Sequence, residues 1–189
     1  MGKLTVVYDA CVLYPAPLRA FLMHLALTDL FHAKWTEAIH DEWTQNVQRD
    51  RPDIPPEQLR RTRTLMNIHV RDCLVTGYAS HIPLISLPDP GDRHVLAAAI
   101  TAGADVILTF NQKDFPAETL STYGLRSESP DGFIHRHLMS FPRPVCLAAK
   151  RHRASLRKPL KNVDEYLETL ERQRLPLTAT LLRAYSAEI

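Results

Sequence analysis

The first apolar run of the chain is Leu4-Thr5-Val6-Val7-Tyr8, and it ends at Asp9. Its short length and its β-branched residues are typical of a buried strand. A second run of this kind is Asp105-Val106-Ile107-Leu108-Thr109-Phe110, and a third strand is predicted near 125–128. Helical patterns lie between these strands. Short apolar strands that alternate with helices indicate an α/β fold with a mainly parallel sheet.

Helix-start residues precede the first two predicted helices. Pro17 fits the first turn of a helix over about 18–30, because proline is tolerated there. Thr36 is a suitable N-cap for a helix that runs to about Val47. A basic amphipathic helix follows, with Leu59, Leu65 and Met66 as its apolar residues.

After residue 80 the sequence predicts a mixture of extended and helical segments at first, and then helices alone. The segment His81–Leu87 is predicted to be extended. An alanine-rich helix is predicted over 95–100, and Gly103 takes the position that a helix C-cap prefers. A further helix is predicted from Ser129, and no strand pattern remains after Pro144. The tail is therefore predicted to hold about three helices.

Composition narrows the class of protein. The 189 residues suffice for one domain with a small appendage, and a hydrophobic share of 45% favours a folded core over a disordered chain. No apolar run approaches the roughly 20 residues of a membrane span, and the N-terminus lacks a signal-peptide pattern. Three widely spaced cysteines are typical of reduced thiols, so we expect a cytoplasmic protein. From Arg143 to Lys161 there are seven basic residues and no acid, a pattern that suits a polyanion or a solvated face.

Acidic residues follow the predicted strands. Asp9 ends the first strand, and Asn111 and Asp114 follow the second. Because the carboxyl ends of parallel strands meet at one edge of a sheet, these side chains are expected to lie close together. Asp92 precedes the alanine-rich helix, where it could alternatively serve only to cap that helix.

Glu42 is a further acidic candidate. Unlike the acids that follow strands, it lies within a predicted helix. At 100° per residue it projects to the same side as Ile39 and Asn46. An acid on an apolar face is costly unless it is paired or binds a cation, so a buried salt bridge to an arginine is the alternative. Four converging carboxylates would repel one another. A hard divalent cation, Mg²⁺ or Mn²⁺, would relieve that repulsion.

Read together, these segments resemble the PIN-domain family, in particular its VapC-like toxin ribonucleases. The opening Val6-Val7-Tyr8-Asp9-Ala10-Cys11-Val12-Leu13 is similar to the family's first strand, whose Asp is a metal ligand. Glu42, within Ile39-His40-Asp41-Glu42-Trp43, falls where the family places its glutamate. The strongest similarity is Asp89-Pro90-Gly91-Asp92-Arg93-His94-Val95-Leu96-Ala97-Ala98-Ala99. Leu108-Thr109-Phe110-Asn111-Gln112-Lys113-Asp114-Phe115-Pro116 is similar to the motif that supplies the fourth polar ligand.

The resemblance covers about residues 3–140 and implies a PIN-like three-layer sandwich over 1–142, with a helical C-terminal extension over 143–189. It implies an Mg²⁺- or Mn²⁺-dependent endoribonuclease that is the toxin of a toxin–antitoxin pair. Expected partners are RNA, a cognate antitoxin and, for a homodimer, a second copy of the chain. The implied metal-binding and catalytic residues are Asp9, Glu42, Asp92 and Asp114. Whether Asn111 or Asp114 serves the fourth position stays open.

Two further groups of residues are expected to assist the site. The accessory group around the acids is Asp89, Asn111, Asn46 and Thr109. The candidate RNA-binding cations are Arg60, Arg61, Arg63, Lys150, Arg151, Arg153, Arg157 and Lys158.

Rival functions differ in how well they fit the sequence. A haloacid-dehalogenase-type phosphatase needs a second Asp two residues after the first, where this chain has Cys11. No GxSxG and no GxxxxGK[ST] motif occurs. A catalytically inactive PIN-like module that binds RNA or a partner protein is the main alternative. A DNA-directed nuclease of related fold is another, because phosphate contacts do not distinguish RNA from DNA.

Overall fold

The structure is a computed structural model that describes residues 2–156 and 159–189. The strands of the described chain are β1 (Leu4–Tyr8), β2 (Phe31–Lys34), β3 (Val106–Leu108) and β4 (Arg126–Glu128). They form a sheet in the order β2-β1-β3-β4, and each neighbouring pair is parallel. The predicted α/β class with a parallel sheet is therefore confirmed.

Helices make up most of the remaining structure. The α-helices are α1 (Ala10–Leu13), α2 (Ala16–Ala26), α3 (Glu37–Asp50), α4 (Pro56–His69), α5 (Arg93–Thr101), α6 (Ala117–Ser121), α7 (Pro130–Ser140), α8 (Pro142–Ser155), α9 (Val163–Arg172) and α10 (Pro176–Arg183). Short 3₁₀ helices cover Tyr78–Leu84, Pro90–Asp92 and Gln112–Asp114. The three helices predicted for the tail are present as α8, α9 and α10.

The chain folds as two compact units. The first, here called the sheet unit, comprises Met1–Tyr14 and Leu30–Glu128. The second, here called the helical unit, comprises Pro15–Asp29 and Ser129–Ile189. Helices α2 and α7 thus belong with the C-terminal helices. The division of the chain into domains at residues 142 and 143 stays a prediction.

In the sheet unit, β1 and β3 occupy the two central positions of the sheet. All three residues of β3 are buried, as are Val6, Val7 and Tyr8 of β1. Tyr8 pairs with Leu108, so the carboxyl ends of the two strands lie side by side. The amide of Asp9 donates to the carbonyl of Leu108 at 3.1 Å. This register places the residues that follow the strands, Asp9 and Thr109, next to each other.

Two segments differ from the sequence prediction. The strand β2 was not predicted, because it is an edge strand with His32 exposed between the buried Phe31 and Ala33. The prediction of extended structure over His81–Leu87 is wrong, since a 3₁₀ helix covers Tyr78–Leu84. Ile85 and Leu87, which follow this helix, are both buried without belonging to any strand.

Helix α3 begins where the sequence predicts and is tied to α4 by a polar network. The side chain of Thr36 accepts a hydrogen bond from the amide of Ile39 at 3.0 Å. Nε1 of Trp43 donates to Nδ1 of His40, so the proton of the neutral ring lies on Nε2 and donates to Oδ1 of Asn67 in α4. Burial lowers the pKa of His40, which favours this neutral form. The network fixes α3, the helix that carries Glu42.

The helical unit is held together by apolar packing and by one buried acid. On α2, Leu18, Phe21 and Leu22 are fully buried, and α2 packs against α8, where the ring of His152 stacks on Phe21 at 5.3 Å. The carboxylate of Asp131, in the first turn of α7, accepts hydrogen bonds from the first amides of α10. These are the amides of Leu177 at 2.9 Å and Thr178 at 2.8 Å. Asp131 therefore caps α10.

Candidate active site

Asp9 is buried at the carboxyl end of β1 and is held through one of its oxygens. Oδ2 accepts a hydrogen bond from the hydroxyl of Thr109 at 2.6 Å and another from the thiol of Cys11 at 3.0 Å. The Thr109 hydroxyl in turn accepts from the amide of Asn111 at 2.9 Å. Both donors bind the same carboxylate oxygen, so the orientation of Asp9 is fixed while Oδ1 stays available for a ligand.

Asp92 stands at the start of α5 but does not cap it. Its side chain makes no cap hydrogen bond, and no residue in the described part of the chain donates to its carboxylate. Asp89 instead caps the 3₁₀ helix Pro90–Asp92 that precedes α5, where its Oδ1 accepts from the amide of Gly91 at 2.7 Å. Burial raises the pKa of Asp92 to about 7, together with the charges of the neighbouring acids Asp9, Asp89, Glu42 and Asp114. A carboxylate in this state lacks a compensating donor among the residues that the structure describes.

Glu42 projects from α3 toward the same acids. Its side chain is 41% exposed, and its Oε2 lies 3.5 Å from Nε2 of His94. Within residues 2–156 and 159–189, no arginine lies within ion-pairing distance of Glu42, which removes the alternative of a salt bridge to arginine. Burial, followed by the charges of Asp9 and Asp89, raises the pKa of Glu42 to about 7. Glu42 thus belongs electrostatically to the cluster of acids.

Both candidates for the fourth position lie near the cluster. Asp114 ends the short 3₁₀ helix Gln112–Asp114 and is close enough to raise the pKa of Asp92. Asn111 lines a cleft of about 390 Å³ together with Glu42 and Asn46. The structure thus brings all the predicted acids and accessory residues into one region of the sheet unit, and the choice between Asn111 and Asp114 stays open.

Two residues of this region are not among the predicted site residues. Cys11 lines the cleft, donates to Asp9 and accepts from the amide of Phe110. Arg49 lines the same cleft, where it pairs with Asp50. Arg49 follows Glu42 by seven residues on α3, and this helical spacing could have identified it.

The carboxylates of this cluster are suitable ligands for a divalent cation. Their positions do not yet form a complete coordination site. In the described ranges, no three Asp, Glu, His or Cys side chains lie close enough to share one ion. The donors are nevertheless oxygens, as Mg²⁺ and Mn²⁺ prefer, and Mg²⁺ commonly binds only one or two carboxylates while keeping several waters. The mutual repulsion of Asp92 and Glu42 with their neighbours is what a bound cation would relieve.

The basic residues predicted on α4 differ in their availability. Arg63 is bound by two carboxylates of α3, those of Glu37 and Asp41 at 2.5 and 2.6 Å. Arg60 pairs with Glu57 on its own helix. Arg61 is exposed. Arg63 therefore joins α3 to α4, and Arg61 is the α4 cation left to contact a ligand.

The predicted cations of the tail also fall into separate groups. Lys150 and Arg151 are exposed on α8. Arg153 is partly buried, and its Nη1 donates to the carbonyl of Lys161 at 3.0 Å. The predictions for Arg157 and Lys158 lie outside the described residues.

Comparisons with known proteins agree with the fold. Residues 5–113 match the profile of the PIN domain, and residues 130–184 match that of the VapC50 C-terminal domain. A segment of 43 residues is 49% identical to a Mycobacterium tuberculosis protein named "Putative ribonuclease VapC50". This segment is 23% of the present chain and 25% of that relative, so the similarity spans about a quarter of the relative's length. No solved structure gives a significant match. In the described chain, no helix is both long and apolar enough to cross a membrane.

Proposed function

The chain belongs to the PIN-domain family, and from this premise we propose that it is a metal-dependent endoribonuclease. The observation that carries the proposal is the carboxylate of Asp92, which lies among four other acids without a hydrogen-bond donor in the described chain. An uncompensated acid of this kind is expected where a cation binds. Asp9, Glu42, Asp92 and Asp114 would hold Mg²⁺ or Mn²⁺.

Several residues of the chain would have different roles in phosphodiester hydrolysis. When bound, a divalent cation supplies Lewis-acid stabilisation of the phosphate and lowers the pKa of a water molecule. Thr109 and Cys11 keep Asp9 oriented toward the site through its Oδ2. Arg49 and Asn46 line the cleft beside Glu42, where they can contact the RNA backbone. Attack by water on phosphorus would break the bond to the 3′ oxygen, which takes up a proton, leaving a 5′-phosphate and a 3′-hydroxyl.

The test is cleavage of a mixed RNA pool by purified protein in Mn²⁺ or in EDTA. We expect cleavage in Mn²⁺ alone, and we expect Asp9→Asn and Asp92→Asn each to reduce its rate at least about 100-fold, because each removes a charge that acts on the reacting centre. Asp53→Asn is the matched control, since Asp53 is an exposed acid paired with Arg51. Equal rates for Asp92→Asn and Asp53→Asn would contradict the proposal.

One observation favours the catalytically inactive alternative, a module that binds RNA or a partner protein. In the described ranges, no three Asp, Glu, His or Cys side chains lie close enough to bind one metal ion. A module that binds no metal would have the same arrangement. Isothermal titration with Mn²⁺ separates the two functions. A nuclease is expected to bind Mn²⁺ through Asp9 and Asp92, whereas RNA binding without Mn²⁺ binding or cleavage would support the inactive module.

The biological role that follows from this activity is that of a toxin controlled by an antitoxin. The PIN-domain and VapC50 C-terminal matches support it, together with the resemblance to VapC-like toxins. Expression of the parent chain in a bacterial host should arrest growth, and expression of Asp9→Asn at the same level should not. Normal growth with the active parent chain would remove the toxin role and leave the nuclease. The homodimer and the cytoplasmic location stay predictions.

A further inference from the structure

One exposed face of helix α8 is formed mainly by basic residues. Residues at the helical spacing i, i+4, i+7 and i+8 are all exposed, and we call them the basic stripe: Arg143, Leu147, Lys150 and Arg151. The opposite face is buried and consists of Val145, Cys146, Ala148, Ala149 and His152. The apolar side of α8 therefore serves the core of the helical unit, while its basic side faces solvent.

The charges of the basic stripe are not neutralised. No carboxylate in residues 2–156 and 159–189 lies within ion-pairing distance of Arg143, Lys150 or Arg151. Most other surface arginines of the described chain are paired, namely Arg49, Arg51, Arg60, Arg63, Arg126, Arg172 and Arg183. The stripe is thus a local concentration of free positive charge on a chain whose formal net charge is only +2.

Helix stability does not explain the position of Arg143. This residue lies in the first turn of α8, which contains no acid. The helix dipole disfavours a cation there. Arg143 therefore costs the helix some stability, which suggests that its charge acts on a ligand.

An exposed aromatic side chain stands directly before the stripe. Phe141 precedes α8 at the N-cap position and is 50% exposed. Aromatic rings beside a row of cations are typical of surfaces that bind single-stranded nucleic acid, because bases stack on the ring while phosphates meet the cations.

We propose that the basic stripe, together with Phe141, is a docking surface for single-stranded RNA. The proposal rests on the proposed function, because that function names RNA as the polyanion. It adds a binding surface formed by residues of the helical unit, whereas the acids belong to the sheet unit. Arg143, Lys150 and Arg151 contact the phosphates, and Phe141 stacks on a base. The surface binds by charge and stacking, so it does not select a sequence.

A membrane surface fits the stripe less well than RNA does. Helices that lie on a bilayer insert a broad apolar face. The apolar face of α8 is buried within the helical unit, and Leu147 is the single large apolar residue of the stripe. The charge of the stripe would attract anionic lipid, but little apolar surface remains for insertion.

The test measures how the binding of RNA depends on salt. A fluorescent oligouridylate is titrated with the full chain carrying Asp9→Asn, in EDTA, at several KCl concentrations. Neutralising the stripe with Arg143→Gln, Lys150→Gln and Arg151→Gln should reduce the slope of log affinity against log salt by about 2, since each phosphate contact contributes roughly 0.7 on single strands. At 0.1 M salt this corresponds to a loss of affinity of about 100-fold.

A matched triple variant controls for net charge. Arg126→Gln, Arg172→Gln and Arg183→Gln remove the same number of charges from exposed arginines that are already paired. This control should keep the parent slope and bind within about twofold. Phe141→Ala should weaken binding about tenfold without changing the slope, and Phe141→Tyr should retain it. Thermal unfolding of each variant verifies that it is folded.

The outcomes separate this proposal from the proposed function. If the stripe variant binds RNA like the matched control, the docking surface is wrong, whether or not the parent chain cleaves RNA. If binding depends on the stripe but the parent chain with Mn²⁺ does not cleave, the nuclease is wrong and the docking surface stands. Tighter binding to phosphatidylserine vesicles than to oligouridylate would also overturn the proposal.

Discussion

The two units each contain an acid in the first turn of a helix or just before it, and the surroundings of the two acids are opposite. In the helical unit, the carboxylate of Asp131 accepts two amide hydrogen bonds at the start of α10. In the sheet unit, the carboxylate of Asp92 accepts none from the described chain and faces other acids that help to raise its pKa. Both side chains are at least partly buried.

This difference indicates how each acid affects the free energy of unfolding. A buried carboxylate with charge-assisted hydrogen bonds contributes to stability. A carboxylate that is desolvated among like charges lowers stability at neutral pH and is retained where a ligand compensates it. Sequence motifs alone do not distinguish Pro130-Asp131 from Pro90-Gly91-Asp92. The hydrogen-bond donors around each acid do.

The largest expected change in stability comes from Asp131. Asp131→Ala would leave the amides of Leu177 and Thr178 without their acceptors, and we expect the free energy of unfolding to fall by about 3 kcal/mol. Urea denaturation measures this, and Asp164→Ala, at an exposed acid of α9, is the control. RNA cleavage per folded molecule should stay within twofold of the parent chain. Equal stability of the two variants would show that the cap on α10 contributes little.

The second prediction concerns the pH dependence of stability without metal. Folding raises the pKa values of Glu42 and Asp92 to about 7, so the folded state binds more protons than the unfolded state between about pH 4 and pH 7. The contribution of these two groups to stability is therefore fully present below the unfolded pKa values and is lost as the pH rises through 7. We expect a loss of about 1–2 kcal/mol between pH 5 and pH 8, because solvent screens these partly exposed groups.

Urea denaturation in EDTA at both pH values measures this loss. Asp92→Asn should be more stable than the parent chain at pH 8 and should show a weaker pH dependence, since it removes one of the repelling charges. Saturating Mn²⁺ should restore stability at pH 8 in the parent chain. If stability in EDTA rises from pH 5 to pH 8, Asp92 does not destabilise the fold at neutral pH, and the proposed difference from Asp131 is wrong.

The smallest predicted effect concerns Asp9, which combines the two situations because one oxygen has donors and the other is available. Thr109→Val keeps the shape of the side chain but removes the 2.6 Å hydrogen bond to Asp9. We expect kcat for RNA cleavage to fall about tenfold, a loss that corresponds to one hydrogen bond. Thr109→Ser, which keeps the hydroxyl, should cleave within threefold of the parent chain. Full activity of Thr109→Val would mean that Cys11 alone can orient Asp9.

The sequence predicts the central part of the fold well. Strand β3 and the last three residues of β1 are buried, so the apolar runs of these central strands are easily recognised. The edge strand β2 is half exposed, and its sequence Phe31-His32-Ala33-Lys34 lacks such a run. Within His81–Leu87, predicted to be extended, Ile85 and Leu87 are buried but pair with no strand of the described chain. Burial pattern thus predicts central strands, whereas strand pairing depends on the rest of the fold.

The candidate site is predictable to a similar extent. The convergence of Asp9 and Asp114 follows from the parallel sheet, because both residues follow adjacent strands. The thiol of Cys11 could not be assigned from sequence, since its contact with Asp9 depends on how the chain turns after β1. The ion pairs that bind Arg63 were also hidden, because Glu37 and Asp41 lie on another helix more than twenty residues away in the chain.

The helical unit is built from two separate segments of the chain, and this has a consequence for synthesis on the ribosome. The helix against which α2 packs, α8 (Pro142–Ser155), is synthesised more than a hundred residues after α2. Until then Leu18, Phe21 and Leu22 lack their final packing partners, so the nascent chain offers an apolar helix to chaperones or to other chains. A message truncated before α8 would yield a product with this helix permanently uncovered, and such a product is expected to aggregate or to be degraded.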